Sequence, residues 1–257
     1  MKEILETKVG KGELAVYWLG QNSFVFKSPS GRLIALDLYL SRTRPIEVYV
    51  HSEPAVRPEE MVADYVFCTH DHTDHTDPDT LPAVAEHCSQ TKFFGSPESR
   101  EHFLRMGIGP KRSVGIKAGE VVQLEEGLSV KAIYSIPPTE GVTTHLGYLF
   151  DFEGVKLYNM GDSSPEVAED PDEILQEVAE MSPHIGMFPV IGDYPGRRPE
   201  DALKFAMGIR PSVVIPTHYD CFRDRTLDPQ EFVKLFEAGC GVKPVVVPYG
   251  GVYVYGV

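Results

Sequence analysis

The chain reads as an α/β protein, and three observations carry that reading. Apolar and aromatic runs with turn residues between them fill residues 14–37, the mark of hairpins. From about residue 170 onward, helix-like and strand-like stretches alternate. The stretch Val213-Val214-Ile215 is continuously apolar, as a strand covered on both faces should be. Early hairpins followed by alternation fit two sheets packed together with helices outside, a four-layer arrangement. Composition alone also allows a doubly wound single sheet.

The elements follow in order. Residues 14–19, 23–27 and 33–37 are strand-like, with the turn Ser28-Pro29-Ser30-Gly31 between the second and third. Residues 39–60 are irregular and rich in Arg, Pro and Glu, and Tyr65–Cys68 is a short buried strand. In Asp77-Pro78-Asp79 an N-cap, a proline at the first helical position and an acid in the first turn predict a helix to about Cys88. Ser96-Pro97-Glu98 opens another in the same way, running to Met106. Strands return over 121–135 with Gly127 between them, and 145–152 pairs with 155–160 across Asp151-Phe152-Glu153-Gly154. Helix 170–181, strand 185–191, helix 199–208, strand 212–217, helix 228–238 and strand 243–248 complete the reading. No repeat, low-complexity segment or linker divides the sequence, so a single domain over 1–257 is expected.

Composition narrows the partners. At 42% hydrophobic and 24% charged residues the chain resembles an ordinary soluble protein. A formal net charge of -14, with no basic run longer than two residues, as at Arg197-Arg198, argues against nucleic acid as a partner. A local basic cluster could still hold a small phosphate. Cys68, Cys88, Cys221 and Cys240 show no C-x-x-C spacing and read as small buried thiols. Residues 1–6 are charged and lack an apolar stretch long enough for export or spanning. A cytoplasmic enzyme with a small-molecule substrate and no membrane partner is the expectation, one compatible with a homo-oligomer.

The most informative stretch is His70-Asp71-His72-Thr73-Asp74-His75, which places three imidazoles and two carboxylates in six residues directly after a buried strand. That density suits a borderline or hard divalent ion such as zinc, manganese or iron. His70 and His72, two apart on an extended exit, can face one point. Asp74 and His75 are adjacent, and a turn into the next helix would let each reach a different side of a metal pair. Further candidates stand at later strand ends: His145, Asp162 after Gly161, and His218 in Pro216-Thr217-His218-Tyr219.

His70, His72, Asp74 and His75 match the His-x-His-x-Asp-His signature of the metallo-β-lactamase superfamily, which the chain resembles from about residue 13 to about 250. Trp18-Leu19-Gly20-Gln21-Asn22-Ser23, Leu36-Asp37-Leu38-Tyr39-Leu40-Ser41, Ile191-Gly192-Asp193 and Ile215-Pro216-Thr217-His218-Tyr219 resemble the branch of ascorbate-6-phosphate lactonases. The resemblance implies the αββα sandwich of the metallo-β-lactamase fold and two divalent metal ions, zinc or manganese. It implies that His70 and His72 join a later histidine around one ion, with His145 as the candidate. Asp74 and His75 would join His218 around the second, and Asp162 would bridge. Asp71 is read as pointing away from the pair, either bare on the surface or orienting a ligand imidazole, and Asp37 as a second outer partner or else a helix or loop cap. His51, His87, His102 and His184 lack such a setting.

Two ions about 3.5–4 Å apart would lower the pKa of a bridging water and polarise a carbonyl or phosphoryl oxygen. Hydroxide, not a side chain, would then be the nucleophile, and no Gly-x-Ser-x-Gly elbow is present. Asp74 and Asp162 are the candidates to orient the hydroxide and take its proton, and Tyr219 is the candidate donor to the oxyanion. A phosphorylated lactone such as L-ascorbate 6-phosphate would need cations, for which Arg42, Arg44, Arg197, Arg198, Arg223 and Arg225 lie near strand exits. Hydrolysis of a lactone or other carboxylic ester is the leading expectation. A phosphodiesterase and a metal-stabilised structural protein are the alternatives.

Overall fold

The structure is a computed structural model and describes residues 1–256. It divides into two compact units, Met1–Lys117 joined by the chain from Val247 onward, and Ala118–Val246.

The first unit opens with a short helix, α1 (Lys2–Glu6), then the meander β1 (Glu13–Trp18), β2 (Phe24–Lys27) and β3 (Leu33–Leu36). The chain crosses over through irregular residues to β4 (Tyr65–Cys68), α2 (Leu81–His87), β5 (Lys92–Gly95), α3 (Pro97–Arg105) and β6 (Ser113–Gly115). Strands β3 to β6 run parallel. Ala15, Tyr17, Val25, Ala35, Val66 and Phe93 of the sheet form one core with Leu81 and Val84 of α2 and Phe103 of α3. Phe103 is wholly buried, and truncating such a ring to alanine costs about 3–5 kcal/mol.

Both helices show what their capping residues do. The Ser96 hydroxyl accepts the Ser99 N–H at 3.2 Å with Pro97 at the first position, so α3 starts where the sequence places it. The other start is corrected. Asp77 does not cap a helix; its carboxylate takes the Asp79 N–H (3.1 Å) and the Thr80 hydroxyl, closing a turn ahead of α2. Leu81, not Pro78, is therefore the first helical residue.

The second unit repeats the plan. β7 (Val121–Glu125), β8 (Leu128–Tyr134), β9 (Leu146–Phe152) and β10 (Val155–Asn159) form an antiparallel meander. There follow α4 (Pro165–Glu169), α5 (Asp172–Glu180), β11 (Ile185–Pro189), α6 (Pro199–Ile209), β12 (Val213–Thr217), α7 (Gln230–Val233) and β13 (Lys243–Pro244). Strands β10 to β13 are parallel. α6 buries Ala202, Phe205, Ala206 and Ile209, the i, i+3, i+4, i+7 stripe of a helix on a sheet.

Two late elements are shorter than expected. Past Val233 the chain closes i to i−3 bonds, Leu235 to Phe232 and Phe236 to Val233, so tight turns replace the helix expected to residue 238. The strand expected over 243–248 is regular only to Pro244; prolines at 244 and 248 offer no N–H to a ladder. The final strand, β14 (Val252–Gly256), pairs antiparallel with β1 and so belongs to the first unit. The sheets read β14-β1-β2-β3-β4-β5-β6 and β13-β12-β11-β10-β9-β8-β7. Two seven-stranded mixed sheets with helices, not one doubly wound sheet, make this layered α/β fold.

Candidate metal centre

The polar residues gather where parallel strands end. β3 delivers Asp37 and β4 delivers Thr69 and His70, because the two strands run side by side in register from Ile34↔Tyr65 to Leu36↔Phe67. Asp37 is fully buried, and its carboxylate accepts four donors at 2.7 Å: the Thr69 N–H and hydroxyl, the Asn22 amide and His75 Nδ1. A buried carboxylate without partners would be costly; this one is saturated. Because a carboxylate can only accept, His75 donates its Nδ1 proton to Asp37, the arrangement that fixes the tautomer of a metal-ligating histidine.

The rest of the run is drawn together. His70 Nε2 and His72 Nδ1 are 2.8 Å apart, and the His70 and His75 rings lie 4.0 Å apart by centroid. Ligand atoms within each of the pairs His70/His72, His70/His75 and Asp74/His75 fall inside 4.8 Å. Asp74 accepts the Gln21 amide at 2.7 Å. The Thr76 hydroxyl donates to the His70 carbonyl at 2.8 Å, pinning the loop behind its ligand side chains.

In the second unit Asp162 follows β10 and His218 follows β12. Both are buried, and Asp162 Oδ1 lies 2.9 Å from His218 Nε2. The other oxygen of Asp162 holds Arg197 Nη2 at 2.9 Å, while Arg197 Nε donates to the Ser163 carbonyl at 2.9 Å. His145, at the threshold of β9, is buried. Tyr219 is also buried; desolvation, and then the Asp220 charge, push its hydroxyl well above the ordinary tyrosine range, so it keeps its proton.

Three of these residues, Gln21 (φ 54°), Asp37 (φ 44°) and His218 (φ 66°), sit in the left-handed region. For a residue with a Cβ that conformation costs roughly 1–2 kcal/mol. Such strain collects where function requires it.

Other expectations need adjustment. Asp71 does not orient a ligand imidazole; its carboxylate holds His102 Nδ1 at 2.9 Å, which also gives His102 a defined partner. His184 accepts the Lys156 N–H at 3.0 Å and is structural. Several loop arginines are occupied within the chain. Arg42 donates to the Ser41 and His51 carbonyls, Arg198 pairs with Asp193 and Arg225 with Asp224. Burial, and then the Asp37 charge, drive the Cys68 thiol far above its usual range, and all four cysteines are unbridged. The sequence reading assigned no task to Gln21, Asn22 or Thr69. Their signal was position alone, at strand exits beside the carboxylates.

The donor set fits a borderline divalent ion: the buried imidazoles of His70 and His75 and the exposed one of His72 lie close together, with His75 Nδ1 fixed by the Asp37 carboxylate and Asp74 beside them. The first unit thus carries a His/Asp cluster able to hold metal, and fold and cluster together define a metal-dependent hydrolase of layered α/β architecture. The chain belongs to the β-lactamase superfamily: the model of the beta-lactamase superfamily domain matches residues 15–218. It is 26% identical, over 99% of its length and 84% of the relative's, to a Salmonella choleraesuis protein named as a probable L-ascorbate-6-phosphate lactonase, UlaG. Among solved structures it resembles Igni18, a metallo hydrolase from the archaeon Ignicoccus hospitalis, with TM-score 0.74 and 22% identity over 95% of this chain and 99% of that one. It also resembles an isothiocyanate hydrolase from Delia radicum gut bacteria, with TM-score 0.70 and 16% identity over 94% and 99%. The two structural likenesses establish the metallo-β-lactamase fold. Among the described residues no helix is long and apolar enough to cross a membrane.

Proposed function

We propose that the chain is a single functional domain that hydrolyses a lactone or related carboxylic ester with the help of two divalent ions, zinc or manganese. In this reading His70, His72 and His145 hold one ion, Asp74, His75 and His218 the other, and Asp162 serves both. The observation that carries it is the buried Asp37–His75 pair, the carboxylate–imidazole contact that orients a metal-ligating histidine. Bound ions would supply an activated water and polarise the scissile carbonyl. The chain's own residues do the remainder. Asp74 orients the attacking water through whichever oxygen lone pairs the Gln21 amide leaves open. Asp162, oriented by Arg197 at 2.9 Å, is the group that would accept a proton. Tyr219 retains the proton that an oxyanion would need.

The relative named as a lactonase supports the substrate class. A phosphorylated lactone needs a cation for its phosphate, and Arg197 already serves Asp162 and Ser163. The test is a hydrolase panel run with Mn²⁺ and Zn²⁺ separately, on phosphorylated and plain sugar lactones, an acyl-homoserine lactone, a thioester and cyclic and linear phosphodiesters. Lactone turnover abolished by Asp74→Ala or His218→Ala is the expected outcome. Preference for a phosphodiester with no lactone turnover under either metal overturns the reading.

A further inference from the structure

The run Gly20-Gln21-Asn22-Ser23 belongs to none of the ligand-bearing loops, yet three successive side chains in it are spent on the cluster. The Gln21 amide donates to Asp74 Oδ2 at 2.7 Å, the Asn22 amide to Asp37 Oδ2 at 2.7 Å, and the Ser23 hydroxyl to the Asp37 carbonyl at 2.6 Å. Adjacent side chains on an extended strand point to opposite faces. Here, with Gln21 in the left-handed region, two neighbouring amides reach two different carboxylates, Asp74 and Asp37.

That turn is itself held. The indole N–H of Trp18 donates to the Gln21 carbonyl at 2.9 Å inside the fold, and Trp18 meets Tyr249 edge to face at 6.3 Å. Gly20, at φ 97°, gives the clearance, since a Cβ there would stand 3.0 Å from the Tyr249 ring. Gln21 is 1% exposed. A buried amide in a strained conformation, with its carbonyl fixed by an indole, is set up to hold one carboxylate in one orientation.

We propose that Gln21 is a positioning residue for metal binding: it holds the Asp74 carboxylate in one orientation through Oδ2, while Asn22 supports His75 by way of Asp37. This rests on the metal reading above and adds to it that one loop sets the affinity of a single ion. Asp74 and His75 are proposed ligands of the same ion; none of the three bonds from the 21–23 segment reaches His70 or His72.

Gln21→Met keeps the side-chain length and removes the donor. Full-length wild type and variant are titrated with Zn²⁺ against a competing chelator, with apo-protein melting as the control for folding. Losing the orienting partner of a ligand should weaken binding about 10- to 100-fold, in one of two binding steps and not the other. Trp18→Phe, which leaves Gln21 in place but frees its carbonyl, should weaken the same step by a smaller factor. If Gln21→Met does not fold, Trp18→Phe decides in its place. Two steps in the variant that superimpose on wild type, or a loss spread equally over both, would overturn the assignment of Gln21. A wild type that takes up no Zn²⁺ would instead overturn the metal reading, and this proposal with it.

Discussion

Replacing Asp37 with alanine removes the acceptor for the Thr69 N–H, the Asn22 amide and His75 Nδ1–H at once, in a site with no solvent access. The Thr69 hydroxyl lies 3.2 Å from His75 Nδ1 and can take up that N–H; the Thr69 N–H and the Asn22 amide lose the acceptor they have. Each such buried donor costs about 1–3 kcal/mol, so the two together cost about 2–6 kcal/mol. Water entering the vacated volume brings it to about 3–5 kcal/mol, the range for breaking a buried ionic pair. That is a large share of a total folding stability of roughly 5–15 kcal/mol. Asp37→Asn keeps the shape and separates stability from chemistry. If its NH₂ replaces Oδ2 it faces His75 Nδ1, and the imidazole must accept there and carry its proton on Nε2. Asp37→Asn should therefore lose about 10- to 100-fold in metal affinity while losing less stability than alanine. Urea denaturation of the apo proteins and Zn²⁺ titration of the folded variants measure the two effects. An alanine variant within about 1 kcal/mol of wild type, or an asparagine variant with wild-type affinity, would refute the reasoning.

Arg197→Met should reduce kcat/KM about 10- to 100-fold, and Arg197→Lys should not restore it, because an ammonium cannot copy the planar fork that serves Asp162 and the Ser163 carbonyl together; steady-state kinetics decide. Gly196→Ala should destabilise by about 3 kcal/mol or more. Its Cβ would come within 2.3 Å of the Ser164 backbone at φ 86°, and thermal melting should show the loss. Loading the apo protein with Zn²⁺ at about 100 times the dissociation constant should stabilise it by about 2.7 kcal/mol, a rise of about 5–10 °C in Tm by calorimetry for a chain this size.

Much of the fold was legible because its signals are local. Ser96-Pro97-Glu98 specifies a helix start with little help from elsewhere, and Val213–Thr217 can hardly be anything but a buried strand. The element order pointed to two sheets, and two sheets are found. What escaped depends on pairing. β5 is short and becomes a strand only beside β4, β6 only beside β5, and β14 has an interrupted burial pattern that makes sense only against β1. At the candidate centre the His70–His75 run was plain from residue type and spacing. The tasks of Gln21 and Asn22 were not, since an amide 53 residues before Asp74 carries no sequence mark of the bond it makes. Asp71 misled in the opposite sense: its place between two histidines suggested one of them as partner, while its side chain turns to His102 on α3.

The pairing of β1 with β14 has a consequence for biosynthesis. Leu14–Trp18 are buried, and one long edge of that strand is covered by residues made at the other end of the chain. At roughly 5–20 residues per second, the ribosome must spend on the order of ten seconds or more completing the second unit before β14 exists. During that interval the first unit waits with an apolar strand unpaired along one flank. Such an edge is a template for joining other chains. Until β14 is made, β1 therefore stays open to such pairing, and a chain cut short before Val252 loses the cover of Leu14–Trp18.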